Sequence, residues 1–391
     1  MRRYMRHYTR RLIVWSAVLF ALVALIGLAG AGSTSKHVSA ATAQATVAAT
    51  ESGTAEPGDT STEDNNPISF VQAPAPDAGT IGISLGDSDK SIRLQTVLEN
   101  GPAWKAGLQI GDEIVAINGK PTPNRQSVIS AIVASKAGNR LTFTVNRKGK
   151  KKEIKVSVST RRAVYCPLAA PTSKAGKAVV KDPIIAEKNW AITQGGSEGV
   201  ALTFKDGKMG FVDRGQGGRW AGLATLKNVR IPDYIYNVEI TQSSQSVGGV
   251  ILNYRSGDGF YLLQLIPNGS WTMSAIFNDG STGGGLSFSE PSLKAADESD
   301  PNSTATNQVT VQVEDNNIYI SFNGEFACGT ALTQFGDPPI QRGAEGVFAI
   351  VYNNLSNTDV SFGKISLTDL GTAATPGATQ AATAAGTPKA K

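Results

Sequence analysis

Histidine is nearly absent from this chain. The 391 residues contain two, His7 and His37. A Ser-His-Asp triad needs a histidine base beside its nucleophile, so we expect no such site in any domain that follows His37. Two widely separated cysteines and the lack of an H-E-x-x-H sequence also leave no ligand set for zinc. The sequence therefore predicts no Ser-His-Asp triad and no zinc site.

Long apolar runs are also scarce, and a single one begins near the N-terminus. Leu12 to Ala31 contains no charged residue, and about 20 apolar residues span a bilayer as a helix. Five arginines precede the run, whereas Lys36 is the only lysine or arginine between it and Asn66. Because positive charge marks the cytoplasmic side, we expect a single-pass membrane anchor with a cytoplasmic N-terminus and extracytoplasmic domains.

A cleaved signal peptide is the alternative for this segment. Small residues at Val38-Ser39-Ala40 and at Ala41-Thr42-Ala43 resemble signal cleavage sites. The apolar run is longer than a typical signal sequence, which favours the retained anchor. Both interpretations export the remainder of the chain.

Excess charge is small once the N-terminal arginines are set aside. The formal net charge is +5, and those arginines account for it, so the exported part is close to neutral. The basic run Arg147 to Lys152 lies at a predicted hairpin turn and has no interleaved aromatic residue. We therefore predict a solvated turn there and no nucleic-acid partner.

The two cysteines, Cys166 and Cys328, both lie in the part predicted to be exported. Disulfides form in such oxidising compartments, so we predict a bridge between them. Two separate buried thiols or an intermolecular bridge are the alternatives that the sequence leaves open.

The most informative motif runs from Gly101 to Gly119. Gly101-Pro102 opens a short helical turn, Gly107 and Gly111 supply turns, and Ile114 to Ile117 is a short apolar strand before an Asn118-Gly119 turn. A helix with apolar residues at helical spacing is predicted from Asn124 to Ala134. From about Gly79 to Arg161 the sequence resembles a bacterial, circularly permuted PDZ domain, which implies an α+β fold that binds peptides.

The resemblance also implies where a peptide binds. In this family a C-terminal carboxylate is received by backbone amides, here those around Gly82, and the peptide adds as a strand beside the residues that follow. The side chains then point towards the helix. The expected peptide-binding residues are Thr80, Ile81, Gly82, Ile83, Ser84, Val128 and Ile132. For the four apolar side chains among them, a place in the domain core is the alternative that the sequence leaves open.

The second half of the exported chain is almost purely strand-like. Residues 234–241, 309–314 and 318–322 alternate between apolar and polar side chains, and turns such as Asn268-Gly269 and Asn323-Gly324 separate the runs. No stretch between Asp182 and Leu370 reads as a long amphipathic helix. Many short strands with regular turns predict a two-sheet antiparallel sandwich.

Two phrases in this half, Gly259 to Trp271 and Asn317 to Gly324, resemble the concanavalin-A-like jelly roll of laminin-G and 3-keto-disaccharide-hydrolase-like domains. The resemblance implies an all-β fold whose members include sugar binders, glycosidases and adhesive modules, so it does not fix a function. The following aromatic residues are the candidates for sugar contacts: Trp190, Trp220, Tyr254, Phe260, Tyr261, Trp271 and Tyr352.

Acidic residues suggest neither a glycosidase nor a strong calcium site. Retaining glycosidases need two carboxyl groups about 5 to 5.5 Å apart, and the E-x-D-x-E run of the jelly-roll glucanases is missing. The loop containing Asp297, Glu298 and Asp300 could bind calcium, although a solvated loop is favoured. We therefore expect no cofactor, with calcium as the exception that this loop leaves open.

The sequence thus predicts a multidomain protein with one transmembrane helix, an α+β PDZ domain and an all-β jelly-roll sandwich. The expected segments are a cytoplasmic tail (1–11), a transmembrane helix (12–31), a disordered linker (32–77), the PDZ domain (78–162), a connecting segment (163–182), the sandwich (183–370) and a disordered tail (371–391). The expected function is binding rather than catalysis. The PDZ domain would capture C-terminal or extended peptides of envelope proteins, and the sandwich would bind a glycan or a protein. The alternative is a saccharide hydrolase on the sandwich, targeted by the PDZ domain.

Overall fold

The computed structural model describes residues 70–86, 92–172, 176–179, 185–195, 200–213, 220–351 and 360–371. The predicted transmembrane helix at 12–31, the predicted linker up to residue 69 and the predicted tail after residue 371 lie outside these ranges. Among the helices that the structure describes, none has both the length and the apolar character needed to cross a bilayer.

The first domain is small and mixes short strands with three helices. Its strands are β1 (Gly79–Thr80), β2 (Ile83–Leu85), β3 (Leu94–Val97), β4 (Glu113–Ile117), β5 (Lys120–Pro121), β6 (Arg140–Arg147), β7 (Lys150–Ser157) and β8 (Ser159–Thr160). Its helices are α1 (Pro102–Ala106), α2 (Arg125–Val133) and α3 (Arg161–Tyr165). In the described residues, β5-β4-β6-β7 form one antiparallel sheet, while β1 pairs with β8 and β2 with β3. We call this part the α+β domain.

Local sequence explains why α2 begins where it does. Asn124 caps the helix by accepting a hydrogen bond from the Ser127 backbone amide at 2.9 Å, and the Ser127 side chain completes a capping box. Val128 and Ile132 are buried in the domain core. The cap and the buried face together fix which side of α2 remains available to a ligand.

An ion pair braces the loop that follows α1. Asp112 is buried and accepts hydrogen bonds from the Gln109 amide and, at 2.6 and 2.7 Å, from Nε and Nη2 of Arg147. Burial opposes ionisation, but these bonds prevail and lower the pKa of Asp112. Lys148 and Gly149 form the turn between β6 and β7 with positive φ. Arg147 therefore ties the basic hairpin to the domain, and the lysines beyond it are exposed.

The second domain is an antiparallel sandwich. Its strands are β9 (Lys177–Ala178), β10 (Trp190–Gly195), β11 (Val200–Lys205), β12 (Lys208–Asp213), β13 (Trp220–Leu226), β14 (Tyr234–Ser243), β15 (Ser246–Arg255), β16 (Gly259–Ile266), β17 (Ser270–Phe277), β18 (Thr282–Ser289), β19 (Thr304–Glu314), β20 (Asn317–Phe322), β21 (Glu325–Ala331), β22 (Ala344–Val351) and β23 (Ser361–Asp369). Single 3-10 turns lie at Glu187–Asn189 and Leu332–Gln334.

The described strands form two large sheets. One sheet has the order β10-β13-β22-β15-β16-β17-β18, and the other has the order β11-β12-β23-β14-β19-β20-β21 with β9 also paired to β23. The predicted two-sheet antiparallel architecture is present. The main core lies between the sheets, where alternate residues of facing strands meet, including Tyr236, Val311 and Trp271.

The first of these sheets is buried on both faces. On β16, Tyr261 and Leu263 point into the main core, whereas Phe260 and Leu262 belong to a second apolar cluster. Phe70 packs into that second cluster. Burial on both sides explains why β15, β16 and β22 read as continuous apolar runs rather than as alternating ones.

Both ends of the α+β domain are attached to the sandwich. On the entering side, the Ala73 amide donates to Ser270 Oγ and the Ser289 amide donates to the Pro74 carbonyl. Residues 70–77 of the predicted linker therefore lie within the described structure, with contacts to the sandwich. On the leaving side, Tyr165 and Cys166 of the predicted connecting segment pack into the main sandwich core.

Candidate peptide-binding groove

A groove runs between β2 and α2 and encloses about 200 Å³. The walls contributed by β2 and α2 are largely apolar. The lining residues are Pro74, Gly79, Thr80, Ile81, Ile83, Ser84, Leu85, Arg125, Ile129, Ile132, Val133, Arg161 and Tyr165. A strand on one side and a helix on the other are the two surfaces that an added peptide strand needs.

The loop that joins β1 to β2 closes one end of the groove. Gly82 occupies the loop with φ +73°, a conformation that a residue with a Cβ rarely adopts. A Cβ at Gly82 would also meet Leu98 Cβ at 3.2 Å and Val164 Cγ1 at 3.4 Å. The Gly82 carbonyl accepts from the Leu98 amide at 2.9 Å, whereas the Gly82 amide has a contact at 3.4 Å with Thr80 Oγ1, the long limit of a hydrogen bond. The Gly82 amide is therefore only weakly engaged within the protein.

The structure brings most of the predicted peptide-binding residues together. Thr80, Ile81, Ile83, Ser84 and Ile132 line the groove, whereas Gly82 lies in the loop that joins β1 to β2 and is not itself a lining residue. Ser84 Oγ and Thr96 Oγ1 share a hydrogen bond of 2.6 Å across β2 and β3, which fixes the outer wall.

Val128, the predicted residue of α2 nearest its start, does not line the groove. It is fully buried in the core of the α+β domain. Ile129, one position further along α2, lines the groove with Ile132 and Val133. These residues lie three and four positions apart on one face of the helix. Helical spacing identified the apolar residues but did not show which face the core would take.

The sequence interpretation also missed a cation at the loop end. Arg161 begins α3, directly after β8, and its backbone amide donates to the Ala78 carbonyl at 3.0 Å. It lines the groove together with Tyr165 of the same short helix. No local signal marks this role, because Arg161 reaches the groove through the pairing of β1 with β8.

The candidate sugar-binding aromatic residues of the sandwich are mostly core residues. Trp190, Trp271, Phe260 and Tyr261 are buried, and Tyr254 is half-buried. The side chains of Trp220 and Tyr352 lie outside the described part of the structure. Buried rings hold the sheets together and offer no face for a sugar to stack on.

The acids of the sandwich do not assemble into a metal site within the described ranges. No group of three or more histidine, cysteine or acidic side chains there is placed to hold an ion. In the loop considered for calcium, Asp297 accepts hydrogen bonds from the amide and hydroxyl of Ser299, and Asp300 accepts one from the Asn302 amide.

One carboxyl group is buried deep in the sandwich. Glu345, at the start of β22, is 0% exposed, and neither of its carboxyl oxygens has a hydrogen-bond partner. Burial raises the pKa of Glu345 to about 8, and its neighbours Tyr234 and Arg342 offset the rise only in part. Tyr234 donates its hydroxyl to Asn253 Oδ1 at 3.1 Å. Glu345 is therefore protonated at neutral pH, as the cost of burying an unpaired charge requires.

A disulfide joins Cys166, just after α3, to Cys328 in β21. Beside it, Arg162 forms an ion pair of 2.7 Å with Glu290, which follows β18. These links hold α3, and with it the loop end of the groove, against the sandwich.

Comparisons with known proteins bear on the two domains separately. A probable periplasmic serine endoprotease DegP-like from Ectopseudomonas mendocina (strain ymp) is 39% identical over 90 residues, which cover 23% of this chain and 19% of that protein. The chain thus spans about a fifth of the length of this relative. The solved HtrA3 PDZ domain bound to a phage-derived ligand is 25% identical, with a TM-score of 0.19, and the match covers 21% of this chain and 85% of that one.

The sandwich has its own structural neighbours. The carbohydrate binding module CBM66 from Bacillus subtilis is 11% identical, with a TM-score of 0.34, and the match covers 46% of this chain and 96% of that one. The family model described as PDZ domain matches residues 79–158, the stretch that contains β1 to β7 and most of the residues that line the groove.

Proposed function

We propose that this protein is a binding protein whose PDZ domain captures C-terminal or extended peptides of envelope proteins. The observation that carries the proposal is the apolar groove between β2 and α2, which ends at the Gly82 loop. A peptide would add as a strand beside β2, place apolar side chains against Ile129 and Val133, and present its terminal carboxylate to the loop amides. A pocket of this lining favours an apolar last residue.

Selection from a phage-displayed library of random heptapeptides with free C-termini tests this proposal on the full-length protein. We expect enrichment of sequences that end in Val, Ile, Leu or Phe, because the groove wall offers mainly apolar surface there. Absence of any enriched C-terminal pattern would contradict the proposal.

Val133→Glu should weaken binding of the selected heptapeptide by about tenfold or more, because it adds a negative charge where the terminal carboxylate approaches. Val133 is 44% exposed, so the change should leave folding intact. Isothermal titration calorimetry measures the affinity. Ile110→Glu is the matched control: Ile110 is 69% exposed and does not line the groove. Equal affinities of the two variants for the peptide would show that the groove is not the binding site.

We also propose that Leu12 to Ala31 anchors the protein in the membrane with its domains outside. The charge asymmetry around this segment supports the orientation. Protease added to cells stripped of any outer barrier should degrade the domains while sparing the N-terminal tail. Finding a soluble mature protein that begins near Ala41 or Gln44 would instead show that the segment is a cleaved signal peptide.

The sandwich supplies a second binding surface in this proposal, for a glycan or another protein. Saccharide hydrolysis remains the alternative function of this domain. Incubation with a panel of polysaccharides distinguishes the two, because a hydrolase releases reducing sugar whereas a binding domain only retains the polymer.

A further inference from the structure

Arg161 and Arg125 both line the groove, but they reach it from different elements. Arg161 lines the groove from α3, next to β1, because Thr160 pairs with Gly79. Arg125 lines the groove from the first turn of α2. Arg161 also lies beyond residues 79–158, the range that the PDZ family model matches. Its side chain is thus an addition to the domain at the place where a terminal carboxylate would arrive.

The guanidinium of Arg161 lies over two aromatic rings. Its central carbon lies 5.2 Å from the centre of the Tyr165 ring and 5.4 Å from that of the Phe288 ring in β18. Such cation–π contacts stabilise the guanidinium without using its N–H donors, which remain for hydrogen bonds. Nη2 uses one of these by donating to the Ser287 carbonyl at 3.2 Å.

The same guanidinium has unused capacity for an anion. Its Nε is buried and has no hydrogen-bond partner, and none of the ion pairs found among the described residues includes Arg161. Burial lowers the pKa of Arg161, yet an arginine side chain stays protonated in proteins. Arg161 is half-buried, a partly desolvated cation without an acid is costly, and an incoming carboxylate would relieve that cost.

We propose that Arg161 is a specificity-determining residue of the groove, which binds the terminal carboxylate of the peptide through its guanidinium together with the loop amides. The sandwich takes part in this site because Ser287 and Phe288 hold the guanidinium in place. The inference rests on the proposed peptide-binding function and adds to it one residue that distinguishes a free C-terminus from an amidated one.

The experiment compares the selected heptapeptide in its free-acid form with the same peptide carrying a C-terminal amide. Arg161→Met keeps an unbranched side chain over the two rings but removes the donors. We expect the affinity for the free acid to fall by about 10- to 100-fold, as for loss of a charge-assisted hydrogen bond. The affinity for the amide should change by less than about threefold, since the amide carries no charge for the guanidinium to bind.

Arg140→Met is the matched control, because Arg140 is exposed at the start of β6 and its loss removes the same charge from the same domain. It should leave both affinities unchanged. Arg161→Lys keeps the cation without the planar fork and should lower the acid-to-amide preference by about threefold or more. This second variant decides the question if Arg161→Met fails to fold.

The outcomes separate this inference from the function on which it rests. If wild-type protein binds neither peptide, the proposed function fails. The inference is overturned if wild-type protein binds and the Arg161 variants keep its preference for the acid over the amide. It is also overturned if these variants lower the affinity for both peptides equally, because Arg161 then has only a structural role. Loss of that preference in the Arg161 variants alone supports it.

Discussion

Glu345→Gln should raise the free energy of unfolding relative to wild type, and the gain should grow by about 3 to 4 kcal/mol between pH 5 and pH 8. Glu345 is fully buried, and its pKa in the folded protein is about 8. In an unfolded chain, glutamate has a pKa of about 4.3. Glutamine is neutral at every pH and similar in shape, so it removes the titration while preserving the packing.

The sign of the effect follows from proton binding. Between pH 4 and 8 the folded protein keeps a proton on Glu345 that the unfolded chain has released, so the free energy of unfolding falls as the pH rises. The contribution of this group is therefore most favourable below the unfolded pKa and is lost as the pH rises through the folded pKa. The free energy of unfolding of wild type therefore falls with pH because of Glu345, and this contribution is absent from the glutamine variant.

Urea unfolding at pH 5, 6.5 and 8 measures the effect, and the fluorescence of Trp271, which is fully buried in the same core, reports on the sandwich. Glu325→Gln is the control, because Glu325 is exposed on β21. Its stability should run parallel to that of wild type at every pH. A parallel curve for Glu345→Gln as well would show that Glu345 does not hold its proton in the folded state.

Replacing both cysteines, as Cys166→Ala with Cys328→Ala, should lower the free energy of unfolding by about 2 to 5 kcal/mol. The two residues lie 162 positions apart in the sequence, so the bridge closes a long loop in the unfolded chain. Both are also buried, and alanine leaves part of their volume unfilled. The loss arises from the greater freedom of the unfolded chain and from this packing defect.

Denaturation with and without a reducing agent separates the two contributions. Reduction should destabilise wild type and leave the double alanine variant unchanged. Mass spectrometry of the non-reduced protein should recover the peptides containing Cys166 and Cys328 linked within one chain. Alkylation of both thiols without prior reduction, or a linked dimer, would instead support one of the alternatives left open by the sequence.

The sequence predicted the sandwich well wherever one side of a strand faces water. On β14, Tyr234, Tyr236 and Val238 alternate with half-exposed partners, and the predicted strand matches the observed one to within two residues. On β22 every residue after Ala344 is buried, so periodicity gives no signal of which side chains share a face. Glu345 lies in this strand, and its burial depends on the neighbouring strands rather than on its own segment.

The groove was predictable only as far as one chain segment determines it. The glycine with positive φ at position 82 and the apolar residues of α2 are local features, and they predicted the loop and the helix that border the observed groove. The choice between Val128 and Ile129 depends on how α2 is rotated against the core. The position of the Arg161 guanidinium depends on its contact with Phe288, 127 positions away in the sequence. Such contacts between domains leave no pattern in the sequence.

The two attachments of the α+β domain have a mechanical consequence. Residues 70–74 and residues 161–166 are both fastened to the sandwich, the first through Ser270 and Ser289 and the second through the disulfide. A pulling force applied from the N-terminal side would therefore act on the contacts of residues 70–74 with the sandwich before it acted on β1. The groove adjoins both attached segments, because Pro74 of the first and Arg161 and Tyr165 of the second belong to its lining. A pull that detached residues 70–74 from the sandwich would therefore displace one lining residue of the groove, Pro74.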